Sequence, residues 1–185
     1  MDDPSPDVDA IRTITVLSVS RFEEDHLSLE RIFHDFEVTL YPNCRLRLIR
    51  CSMPASALSI LRGARIPIVV CDADERPTVW ERMARELQGL SEPPCLILSS
   101  WLADDHLCME AAKHGAYEVL AKPFHGSEVL RVVNLVWRHW QDRYGFPAAA
   151  PQVRQPSAGA QSAPRDVDNP VTEVRKNPPS GGVRS

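Results

Sequence analysis

The amino-acid sequence predicts an α/β domain: a doubly wound, five-stranded parallel sheet with helices on both faces, followed by a disordered tail. Three observations point there. Stretches of β-branched and apolar residues alternate five times with stretches of helical periodicity over roughly 130 residues, the pattern of repeated strand–helix units. Two of the apolar stretches, Ile66–Asp72 and Cys95–Ser100, are almost free of polar residues until their ends, as strands are when both faces of a parallel sheet are covered. Right-handed crossovers then leave few topologies other than doubly wound ones. At 185 residues the chain holds one such domain and some extra length.

The elements follow in order. Residues 1–10, acidic and Pro-rich, read as a disordered leader, and the domain is expected over 11–145. Thr13–Val19 is β-branched and apolar, a first strand. After the turn Ser20-Arg21-Phe22, the acids Glu23, Glu24 and Asp25 suit the positive end of a helix, where they read as solvated first-turn residues, the alternative being that they reach back to the end of the first strand. Leu29, Ile32, Phe33 and Phe36 supply its apolar face, and Tyr41-Pro42-Asn43 breaks it. Arg45–Cys51 alternates arginine with apolar residues, as an edge strand with one wet face does. Ser52 is placed to cap a short helix with Pro54 in its first turn, carrying Leu58 and Leu61 and ending at Gly63. The third strand runs into Asp72. Trp80, Met83 and Leu87 share a face of the next helix, stopped at Gly89. The fourth strand ends in Ser99-Ser100, and Asp104-Asp105 open a polar helix that closes at Gly115, with Lys113 and His114 at its negative end. Tyr117–Ala121 is a fifth strand before Lys122-Pro123-Phe124. Ser127 is placed to cap the last helix, where Val129, Val132, Val133, Val136, Trp137 and Trp140 recur at helical spacing.

Residues 146–185 form a Pro/Ala/Ser-rich tail with seven of the sixteen prolines and no aromatic residue after Phe146. Such a segment buries too little apolar surface to offset its ordering entropy, so it is expected to be disordered, and it is too short and polar to be an output domain. A net charge of −4 and a pI near 5.9 argue against a nucleic-acid partner. No apolar run is long enough to span a bilayer, so no membrane partner is expected. Five cysteines (Cys44, Cys51, Cys71, Cys95, Cys108) without CxxC spacing read as reduced residues of a cytoplasmic protein, and the six histidines show no metal spacing.

In open α/β sheets the working residues sit just past the carboxyl ends of the strands. Here those ends carry Asp72, Ser99 and Lys122. An acid, a hydroxyl and a lysine converging there suit an anionic ligand or a phosphoryl group: the carboxylate as nucleophile or metal ligand, the hydroxyl bonding an equatorial oxygen, the lysine offsetting charge.

Ile11–Trp140 resembles a response-regulator receiver (CheY-like) domain of bacterial two-component signalling. The resemblance rests on Val69-Val70-Cys71-Asp72, on Leu96-Ile97-Leu98-Ser99-Ser100, and above all on Gly115-Ala116 followed by Lys122-Pro123-Phe124. It implies a flavodoxin-like sheet in the order 2-1-3-4-5. It also implies that Asp72 is the phosphoacceptor, with Ser99 and Lys122 sensing the phosphoryl group. Three positions depart from that pattern. Where receivers hold Mg²⁺ with two adjacent acids after the first strand, this chain has Ser20 and Arg21. Val119 stands where an aromatic switch residue is usual, and Pro77 falls one place late, after Arg76. Asp72 is the metal ligand only if Mg²⁺ binds at all, and alone it is a poor cage for an ion that wants near-octahedral oxygen ligands, so the expectation is no cofactor, with Mg²⁺ as a doubtful alternative. A guanidinium at Arg21 could pair with Asp72 and stand in for the missing cation.

These departures describe a degenerate, or pseudo-, receiver. The expectation is a single-domain phosphorelay protein, not an enzyme, acting by binding a histidine kinase or another regulator, with phosphorylation at Asp72 weak or absent. Arg138, Trp140 and Arg143 on the last helix are the candidate interaction face, for a partner or for a homodimer. The alternative is a flavodoxin-like ligand- or nucleotide-binding module, against which stands the absence of glycine from Ser20-Arg21-Phe22-Glu23. A hydrolase finds no GxSxG elbow.

Overall fold

The computed structural model describes residues 12–39 and 44–145; the expected leader and tail lie outside the described residues. Five strands, β1 (Arg12–Val19), β2 (Cys44–Cys51), β3 (Ile68–Asp72), β4 (Cys95–Ser100) and β5 (Glu118–Ala121), alternate with α1 (Glu23–Thr39), α2 (Pro54–Gly63), α3 (Pro77–Gln88), α4 (Asp105–Lys113) and α5 (Gly126–Tyr144). All strand pairs are parallel and the order is β2-β1-β3-β4-β5. The arginine-bearing β2 is an edge, as its alternation predicts.

Strand parity divides the core into two layers. Leu17, Val19, Val69, Cys71, Leu96 and Leu98 face α2, α3 and α4, and meet Leu61, Trp80, Met83 and Leu87 there. Val16, Ile68, Val70, Ile97 and Leu120 face the other way, toward Leu29 and Phe33 of α1 and the valine-tryptophan stripe of α5. β3 is buried at every position, which is why its sequence shows no alternation. Each fully buried aliphatic side chain contributes about 1.5–3 kcal/mol. No described helix is long and apolar enough to cross a membrane.

Two helix starts differ from expectation. Met53, not Ser52, is the N-cap of α2, and it makes no side-chain cap; Pro54, with its preset φ, opens the helix instead. At α5 the N-cap is His125 and the helix begins at Gly126, so Ser127 already lies inside the first turn. The α4 start is as predicted: the Asp104 carboxylate accepts from Leu107 N at 2.8 Å. Gly115, which ends that helix, has φ of 79°, and an added Cβ would lie 3.0 Å from Gln88 Nε2. Gly115→Ala is expected to cost about 1–2 kcal/mol from the left-handed backbone, read as a lower urea midpoint at unchanged slope.

Candidate functional site

Asp72 closes β3, and its register partner on β4 is Ser99, so the two side chains share the α1/α5 face of the sheet. Lys122 follows β5 directly, its amide donating to Ser100 O at 2.8 Å. The sheet therefore brings the three expected residues to adjacent strand ends, all of them buried.

The lysine is the centre of the site. Its side chain is 1% exposed, and Nζ donates to Asp72 Oδ1 at 2.5 Å and to Asp25 Oδ2 at 2.7 Å, with Asp74 Oδ2 at 3.2 Å. An ammonium removed from water must be paired, and here three carboxylates surround it. The centroid of the half-exposed Phe22 ring lies 5.6 Å from Nζ, within cation–π range. Burial alone would lower the Lys122 pKa, but the hydrogen bonds it donates to Asp25 and Asp72 prevail and raise it. Burial pushes the Asp72 carboxyl above its ordinary value despite the Lys122 ion pair. Asp74 is also subject to burial, but bonds from the Ser100 hydroxyl, the Trp101 amide and Lys122 hold it below the ordinary value.

Two of these acids come from outside the expected set. Asp25 does not sit with Glu23 and Glu24 on a solvated face: it is buried, accepts from Ser20 Oγ at 2.6 Å and reaches Lys122. It lies in the first turn of α1, and its side chain reaches the end of β5 at Lys122. The β1–α1 loop is held in place by buried His26, whose ring bonds Ser18 Oγ (2.9 Å) and Ser20 O (3.0 Å). Asp74 lies two residues after Asp72, accepts from Ser100 Oγ at 2.5 Å and from Trp101 N at 3.1 and 3.2 Å, and so ties the β3–α3 loop to the β4–α4 loop.

Arg21 does not pair with Asp72. Its guanidinium extends into solvent and bonds Glu75 Oε1 at 2.6 Å, because Lys122 already holds the buried side of Asp72. Ser20 does enter the site, as a donor to Asp25. Among the described residues no group of three or more His, Cys, Asp or Glu is disposed to hold a metal ion.

Solved structures with this architecture are numerous. The receiver domain of an HD-domain-containing protein from Pseudomonas fluorescens Pf-5 aligns with a TM-score of 0.60 at 20% identity, over 71% of this chain and 92% of that one. The beryllofluoride-activated NtrC4 receiver dimer aligns at 0.58 and 19%, over 68% and 98%. The receiver domain of a sensor histidine kinase from Pseudomonas aeruginosa PAO1, solved with magnesium in its active-site cleft, aligns at 0.55 and 15%, over 66% and 96%. The chain has the response-regulator receiver fold. No family model and no curated protein matches it.

Within the receiver fold the last helix also differs from expectation. Trp140 belongs to the core: it is fully buried, stacks on Trp137 with ring centroids 6.1 Å apart, and donates from its indole to Pro93 O at 3.1 Å. It cannot take part in a docking face, which leaves exposed Arg138 and Arg143 on that helix. Val119 is half-buried against the α2/α3/α4 layer. His125 is an exposed cap and not part of the site. The residues that sequence reasoning missed had one faint signal, the Asp72-Ala73-Asp74 spacing; nothing in the sequence separates Asp25 from Glu23 and Glu24.

Proposed function

We propose that this chain is a receiver-like module of bacterial two-component signalling that works by binding other proteins, a histidine kinase or another regulator, and that Asp72 is phosphorylated weakly or not at all. The observation that carries this reading is Lys122 bridging Asp72, Asp25 and Asp74. Four carboxylate oxygens of the cluster are already engaged: Asp72 Oδ1 and Asp25 Oδ2 by the ammonium, and both Asp74 oxygens by Ser100, Trp101 and Lys122. Mg²⁺ demands octahedral oxygen ligands and does not fit this arrangement. A phosphoryl group on Asp72 would add negative charge beside Asp25 and Asp74 with one lysine to offset it. Phosphoryl transfer relies on positioning and charge neutralisation, so it is slow here. Self-association through exposed α5 residues such as Leu135 and Arg138 is a further mode of action under this reading. A nucleotide-binding module finds no support in the β1–α1 loop, which lacks glycine amides and is filled by Ser20, Asp25 and His26.

The test is a ¹H–¹⁵N titration of the whole protein with Mg²⁺ and beryllofluoride, with Asp72→Ala as control. The expected result is a spectrum that does not change. Shifts around Asp72, Ser99 and Lys122 in the wild type alone would show a phosphorylatable site and overturn the weak-phosphorylation reading.

A further inference from the structure

The amino ends of β4 and β5, opposite the end that carries Asp72, border a cavity of about 340 Å³. Pro93 and Pro94 before β4, Tyr117 before β5, and the last turns of α3 and α5 wall it. Small-molecule sites have volumes of roughly 300–1,000 Å³. The walls are held from several sides. The Gln88 side-chain amide donates to His114 O at 3.0 Å and joins the ends of α3 and α4. The Trp140 indole donates to Pro93 O at 3.1 Å, Tyr117 N donates to Leu96 O at 2.7 Å, and Arg65 donates to Tyr144 O at 2.5 Å. A cavity held in this way gives up little entropy when it is filled.

The charge of this cavity has one sign. Among the described residues Arg143, His139 and His114 line it and no aspartate or glutamate does, in a chain whose acids outnumber lysine and arginine 25 to 21. Basic residues are ordinary at helix carboxyl ends, where they meet free carbonyls. Arg143 does not serve in that way. The carbonyls of His114, Gln141 and Tyr144 accept from Gln88, the Gly145 amide and Arg65. Among the described residues the Arg143 guanidinium makes no hydrogen bond or ion pair, and it lies 5.5 Å from the Tyr144 ring centroid. Burial pushes the Cys95 thiol up to about 11, so the cavity holds no thiolate of its own. The Tyr117 and His139 rings, with centroids 5.2 Å apart, add an aromatic surface to that of Pro93 and Leu96. We propose that this cavity binds a small aromatic carboxylate, its ring lying among Pro93, Leu96, Tyr117 and His139 and its carboxylate accepting a two-pronged bond from Arg143. The planar guanidinium fork matches a carboxylate, and aromatic walls favour a flat ring. Such a ligand touches the ends of α3, α4 and α5 together. It is an input to the domain that does not pass through Asp72, and it stands whether or not Asp72 is phosphorylated.

The probe is indole-3-acetate, titrated into ¹⁵N-labelled full-length protein, with indole and acetate as half-probes that lack the charge and the ring. The expected result is saturable binding below about 1 mM, the range for a ligand of this size. Amide shifts should gather around Gln88, Leu96, His114, Tyr117 and Arg143, with none around Asp72 or Lys122. Indole and acetate should each bind about tenfold more weakly or worse. Arg143→Gln should lower the affinity for indole-3-acetate by about tenfold or more, the worth of a charge-assisted pair, and Tyr117→Ala by a smaller factor. Both side chains are exposed, so neither change unfolds the domain. No saturation up to the solubility of the probe, unchanged affinity in Arg143→Gln, or shifts centred on Asp72 would overturn the proposal. So would acetate binding as tightly as the full probe, which would make this a bare anion site, or indole doing so, which would make it an apolar pocket. The beryllofluoride titration reads the opposite end of the sheet, so either result can fail without the other.

Discussion

Replacing Lys122 by methionine is expected to destabilise the fold by about 3–5 kcal/mol near neutral pH, the cost of leaving buried charge unpaired. Methionine fills a similar volume, so the loss is electrostatic and not a cavity effect. In the wild type the raised Lys122 pKa contributes stability that is complete below the ordinary lysine value and is lost only as pH rises past the raised one. Asp74, held low, contributes stability that is present above the ordinary carboxylate range and is lost as pH falls through it. Asp72, held high, acts in the opposite direction, since the folded state binds its proton more tightly than the unfolded chain does. In Lys122→Met the ammonium that opposes burial is gone and the Asp72 and Asp74 carboxylates repel one another, so the pKa values of these two move upward. The variant is then most stable in acid, and loses stability as pH climbs through the raised values. Urea midpoints from about pH 4 to pH 8 should show the gap to wild type narrow in acid and widest above neutrality. A gap that does not depend on pH would show that Lys122 acts by packing alone.

Trp140→Ala is the second large effect, an expected loss of about 3–5 kcal/mol. The indole is fully buried beneath α5. It stacks on Trp137, meets the Tyr144 ring at 5.4 Å and carries the Arg65 guanidinium 4.8 Å from its centroid. Its removal leaves a large void and deprives Pro93 O of a donor. Trp140→Phe separates the two contributions, since it keeps most of the ring and loses the N–H; it should cost about 0.5–1.5 kcal/mol, the net worth of a part-buried hydrogen bond. Both are read from urea unfolding followed by far-UV circular dichroism at unchanged slope. A loss below about 1 kcal/mol in Trp140→Ala would place the residue on the surface after all.

Much of this was legible in the residues. Parallel strands buried on both faces leave apolar runs, and β3 and β4 have them. Helices with one buried face leave a helical period, and α5 has it. The strand ends are set by the same pattern, so Asp72, Ser99 and Lys122 could be named as neighbours before any coordinate was known. The caps of α2 and α5 were less legible, because several short polar residues near each helix start could serve and local geometry chose among them.

What the sequence by itself determined is the layered sheet, the order of its elements and three chemical groups at its carboxyl end, all consequences of periodicity and of residues close in the chain. Only the tertiary structure decided which acids share the lysine, that Arg21 turns outward to Glu75, and that Trp140 lies inside while Trp101 lies outside. Asp25 and Lys122 are 97 positions apart. The contact joins the first turn of α1 to the end of β5, while the Arg21 guanidinium pairs with Glu75, and no local pattern encodes either.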